Sequence, residues 1–168
     1  MIGRLIDKLV FGFILVLALQ LPQLADHYQQ FLSGFYESTR WQVEGYEATA
    51  KEYQYADANE MIARHQQNEE PSVRADAEQK LMTLAVYEEL KQGVTIFDSG
   101  NLFEKTAYMF TPSRFDYLEK TLSNFKPGIP LTASGIGFGV VVAVVIHYLG
   151  SIPFLLWARR RRRLKTYP

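Results

Sequence analysis

Between Leu131 and Ala158 the chain reads LTASGIGFGVVVAVVIHYLGSIPFLLWA, without one Asp, Glu, Lys or Arg, and five arginines follow at once. A hydrocarbon core about 30 Å thick needs roughly 20 helical residues at about 1.5 Å each. The stretch therefore predicts a membrane-spanning helix. Basic residues flanking a span stay on the cytoplasmic side, so Arg159, Arg160, Arg161, Arg162 and Arg163 point to a cytoplasmic C-terminal end. They are also expected to meet anionic lipid headgroups, at about 1 kcal/mol per basic residue near the surface. Trp157 suits the interfacial aromatic belt, and Pro153 is expected to bend the end of the span.

A second apolar run, Leu9 to Leu21, follows Arg4, Asp7 and Lys8. It reads either as a signal peptide or as an uncleaved helix from about Ile2 to Pro22. Gln23 stands where a cleavage site wants a small residue, so the uncleaved span is favoured, with its N-terminus also cytoplasmic. Charge distribution agrees. Residues 1–22 carry two basic groups against one acidic, residues 23–126 carry ten against seventeen, and residues 127–168 carry six against none. An acidic middle between basic ends fits a chain with both ends in the cytoplasm. There is no cysteine, hence no disulfide framework, thiolate metal site or lipid-attachment thiol.

The middle reads as helical. Leu32, Phe35, Thr39, Val43, Tyr46, Ala50 and Tyr53 follow a 3-4-4-3-4-3 spacing that puts them on one helical face. Glu37, Arg40, Glu44, Glu47, Lys51 and Glu52 take the opposite face. One long helix is expected from Ala25 to Gln67, projecting roughly 60 Å, with Gly34 and Gly45 marking close helix contacts. A break at residues 65–71 leads into a helix from about Pro71 to Gln92, ended by Gly93, with Ala77, Leu81, Leu84 and Tyr87 on its apolar face. Residues 98–101 signal a turn and a short helix follows to Phe110. Thr111 is expected to cap a helix opened by Pro112, and Phe115, Leu118, Leu122 and Phe125 form a narrow seam.

The short first span, the acidic helical middle and the junction FKPGIPLTASG (Phe125 to Gly135) before a glycine-rich last span resemble an uncharacterised family of small two-span proteobacterial inner-membrane proteins, a domain of unknown function. The resemblance implies a Gram-negative envelope and supplies no activity. The expected fold is an all-α membrane protein: two transmembrane helices flanking a long antiparallel, coiled-coil-like periplasmic hairpin with a broken return arm. Its segments are a first span (1–22), an acidic periplasmic hairpin (23–126), a Pro-rich junction with the second span (127–158), and a basic cytoplasmic tail (159–168). Thr132 or Ser134 is placed to cap the second span.

Gly135, Gly137 and Gly139 do not match a dinucleotide fingerprint, because the third glycine is one position early and no acidic residue follows. Gly135 and Gly139 instead lie four apart, as small residues do where helix backbones approach closely in lipid, with Ala143 extending the face and Gly12 a candidate partner. His147 is the ionisable side chain deep in the second span, a position where such groups often serve function. Antiparallel packing is expected to put Asp7 nearer Phe154 than His147. His27 and His65, with Asp26 and Glu69 beside them, are too far apart along one helix to share a metal ion. No nucleophile arrangement, metal motif or nucleic-acid signature is present, so no enzyme activity, cofactor or nucleic-acid partner is expected.

The function these features favour is a non-catalytic accessory or scaffold subunit of a bacterial envelope complex. It would meet another envelope protein or a second copy through the glycine face and through aromatic residues such as Phe35, Tyr46 and Tyr53. Two alternatives are a periplasmic sensor read by a partner, and a small pore or proton-conducting oligomer using His147.

Overall fold

The computed structural model describes residues 2–128 and 132–164, with the side chains of residues 2, 5, 151 and 153–164 outside the described set. Pro130 of the expected Pro-rich junction, the bend expected at Pro153, Trp157 and the side chains of Arg159 to Arg163 lie outside the described set. Helices follow in the order α1 (Ile2–Glu52), α2 (Ala58–Gln66), α3 (Pro71–Ser99), α4 (Leu102–Met109), a 3-10 turn (Pro112–Arg114), α5 (Phe115–Ser123) and α6 (Ala133–Leu164). No strand occurs among the described residues. Both α1 and α6 contain a stretch long and apolar enough to cross a membrane. The chain divides into two bodies: Met1–Asp26 with Leu122–Pro168, and His27–Thr121.

In the body formed by residues 27–121, the first correction concerns the length of α1, which ends at Glu52 rather than near Gln67. Gln54 adopts a left-handed φ of 64°, which no helix interior tolerates. Asp57 then accepts a hydrogen bond from the Glu60 N–H at 2.8 Å, while the Glu60 carboxylate accepts from the Ala56 N–H at 2.7 Å. These two hydrogen bonds, the first a side-chain N-cap, restart the chain as α2. The predicted apolar face of α1 is the buried one, with Leu32, Thr39, Val43 and Ala50 all covered. Gly34 and Gly45 lie away from it, and a Cβ added at either would meet nothing within 4 Å, so neither marks a close helix contact among the described residues.

Helix α3 passes through Gly93 instead of stopping there. The glycine answers a packing need. A Cβ at Gly93 would lie 2.9 Å from Leu32 Cδ2 and collide with the Tyr108 hydroxyl. Along α3 the buried positions are Ala77, Leu90, Gly93 and Phe97, whereas Leu81 is exposed. Tyr28 stacks on Phe97, Tyr36 stacks on Tyr87, and Lys80 lies over the Tyr46 ring. Partner numbers fall as α1 numbers rise, so the two helices run antiparallel.

The return is not a simple broken arm. At Gly100 and Asn101 the chain doubles back, with Asn101 and Glu104 forming a reciprocal cap that starts α4. Lys105 then lies over Phe97, Tyr108 over Gly93, and Arg114 pairs with Glu89. Thr111 does not cap the next turn, because its hydroxyl donates to the Ala107 carbonyl at 3.1 Å. The chain reverses again through Pro112–Arg114, and α5 brings Tyr117 against Phe31 and Phe35. Leu118 and Thr121 are the buried positions of α5, while Phe115 and Leu122 are exposed.

In the other body, α1 continues unbroken through Pro22. Gln20 is bonded twice, donating to the Val16 carbonyl and accepting from the Gly128 N–H at 3.1 Å. The junction is thereby tied to α1 before α6 begins. Thr132 caps α6, its hydroxyl accepting from the Gly135 N–H at 3.2 Å. Gly135, Phe138, Gly139 and Ala143 are buried. A Cβ at Gly139 would come within 2.6 Å of Leu19 Cδ2, so Leu19, and not Gly12, is the residue seated on this glycine.

Candidate functional site

The paired helices place an acid and a base together. His147 Nε2 lies 3.4 Å from Asp7 Oδ1, within ion-pair reach when the imidazole is protonated. The His147 side chain is only 19% exposed, whereas that of Asp7 is 64% exposed. Phe11, one turn after Asp7, presents its ring to the imidazole in an edge arrangement at 5.4 Å. Asp7 thus stands opposite His147, about two turns short of Phe154. The register is set by Leu19 on Gly139 and by the Gln20–Gly128 bond, which uses up junction residues before α6 starts. Beside the pair runs a groove of about 490 Å³ between Val10 and Ile14 on α1 and Ile146 on α6, with Gly3 and Gly150 at one end.

The helical body of residues 27–121 has a different polar centre. Tyr28 is fully buried, stacked on Phe97 at 5.3 Å and met edge-on by Tyr108 at 6.4 Å. Among the described residues, neither the Tyr28 nor the Tyr108 hydroxyl has a hydrogen-bond partner. Burial pushes both phenols above their ordinary range, and for Tyr28 the neighbouring Tyr108 adds to the effect. The Arg114 guanidinium lies over the Tyr108 ring at 5.1 Å and pairs with Glu89. At the surface, Trp41 is 77% exposed and borders a groove of about 590 Å³ with Gly45, Tyr46, Thr49 and Lys80.

The aromatic residues expected to face a partner are distributed unevenly. Phe35 packs within the chain, 5.8 Å edge-on from Tyr117. Tyr46 is half-buried beneath Lys80, and Tyr53 is exposed. Trp41 lies off the apolar face that the α1 spacing marks and is exposed, as Tyr53 is. His27 lies in α1 and His65 in α2, the latter edge-on to Tyr55. No group of three or more His, Asp or Glu able to hold a metal occurs among the described residues.

These features define a helical chain with two helices long and apolar enough to cross a membrane. The chain belongs to the family described as "Protein of unknown function (DUF2937)", whose model matches residues 2–163. No curated protein and no solved structure matches it.

Proposed function

We propose that this chain is a non-catalytic accessory or scaffold subunit of a bacterial envelope complex, held in the inner membrane by two spans with both ends cytoplasmic. Residues 23–126 form a periplasmic helical hairpin that carries the partner-binding surface. The observation that carries this reading is Trp41, exposed beside a groove that Gly45 keeps open. Large aromatic side chains next to a recess are the usual anchors of protein interfaces. A glycine inside a helix costs about 1 kcal/mol relative to alanine, and a Cβ added at Gly45 would meet nothing within 4 Å among the described residues.

Extraction of the tagged protein in mild detergent, followed by mass spectrometry, tests the proposal. One or two near-stoichiometric envelope proteins should accompany the wild type and be lost from W41A and G45L, with helix content unchanged. The same partners retained by both variants would refute it.

A second reading rests on the Asp7–His147 pair. A carboxylate beside a histidine between two apolar helices is an arrangement that binds and passes protons. On this reading the chain is a small proton-conducting oligomer, and His147→Ala should abolish pH equilibration across liposomes containing the purified protein. Equal rates with and without His147 would remove it.

A further inference from the structure

A Cβ placed at Gly3 or at Gly150 would meet nothing within 4 Å, so the groove beside Asp7 is open at that end for want of side chains. Its walls are aliphatic, and its polar end is the Asp7 carboxylate with one oxygen engaged by His147. At 3.6 residues per turn, Gly3, Asp7, Val10 and Ile14 fall on one stripe of α1. Asp7 occupies the edge of that stripe nearest Arg4 and Lys8, both of which are exposed. One turn of helix therefore presents an anion in the lining of the groove and, outside that lining, an exposed cation three residues before it and another one residue after it.

That charge order selects among amphiphiles. A purely anionic headgroup would suit Arg4 and Lys8 but meet repulsion from Asp7. A simple amine would suit Asp7 and leave the two cations unused. A headgroup carrying both a primary ammonium and a phosphodiester matches both signs, and a charged hydrogen bond from ammonium to carboxylate is among the stronger polar contacts. We propose that this groove binds a phospholipid of the phosphatidylethanolamine class. Its ammonium donates to Asp7, its phosphodiester lies between Arg4 and Lys8, and an acyl chain runs along Val10, Ile14 and Ile146. His147 positions the carboxylate from the opposite helix. The inference is independent of the partner surface at Trp41.

Native mass spectrometry of the full-length protein tests it, after equilibration in micelles holding equal amounts of dioleoyl phosphatidylethanolamine, phosphatidylglycerol and phosphatidylcholine. The choline lipid has the same charges but no ammonium N–H. The wild type should retain the ethanolamine lipid in about tenfold preference. D7N should lose the preference, and G150L should lose the bound lipid while keeping its helix content, because its new side chain enters open space. Equal retention of all three lipids, a preference for phosphatidylglycerol, or an unchanged preference in D7N would overturn the proposal. So would a lipid-free dimer, which would give the groove to a second copy.

Discussion

The two bodies of this chain differ in how completely they bury their large side chains. Residues 27–121 bury large side chains, among them Tyr28, Leu32, Phe97 and Met109, each nearly or fully inaccessible. The paired helices of the other body bury Leu24 and Phe138 together with the small Ala18, Gly135, Gly139 and Ala143, and leave Leu9, Phe13, Val16, Val141 and Val145 exposed. In water, stability grows with apolar area removed, so large rings belong inside. In lipid no such gain exists, and helices associate by close backbone approach. Burial of large rings in one body and the long apolar stretches of α1 and α6 in the other set the two apart.

The sharpest test of that contrast removes a ring from the aromatic core. Phe97→Ala should destabilise the protein by about 3–5 kcal/mol, read as a lowered midpoint in denaturation followed by near-ultraviolet circular dichroism. A loss below 1 kcal/mol would show that the core does not depend on it.

Next, Gly139→Leu should weaken the pairing of α1 with α6 by about 1–3 kcal/mol, since Leu19 already fills the space. Gly12→Leu should change it by less than about 0.5 kcal/mol, the site being open. Cross-linking between cysteines introduced at Val10 and Ile146 measures both. Equal effects of the two variants would break the distinction between the glycines.

The smallest effect concerns the buried phenols. Tyr28 and Tyr108 titrate above the ordinary value of 10.0 in the folded state. The unfolded chain therefore loses these protons first as pH rises. Their contribution is intact below about pH 10 and declines above it. Tyr28→Phe removes a hydroxyl with no partner among the described residues, so stability at neutral pH should change by no more than about 1 kcal/mol. The alkaline decline should become shallower, as seen in melts between pH 9 and 12. An unchanged decline would place the alkaline sensitivity elsewhere.

Much of the helical framework was legible because its signals are local. The buried face of α1, the Gly100–Asn101 turn and the Thr132 cap all follow from spacing or from one capping side chain. The break after Glu52 was not read. Tyr53 to Ala56 contain no glycine or proline, and the signal lay in Asp57 with Glu60 three residues on. Gly93 misled for the opposite reason, since a helix-ending glycine and one that admits a neighbour's ring look alike in sequence. The Asp7–His147 pairing was hidden because it depends on where the junction binds α1, through Gln20 and Gly128.

The doubling back at Gly100 also bears on the order in which the chain can assemble. Phe97, Lys105 and Tyr108 lie close in sequence, so α3 and α4 can meet by closing a short loop, which is fast. Tyr28 reaches the same place only across a much longer separation, like the 69 residues between the bonded Gln29 and Asp98. Synthesis makes that tyrosine first, yet its socket exists only once Tyr108 has been added. The earliest helix made is the last to be covered, and until then its apolar face is open to whatever else is nearby.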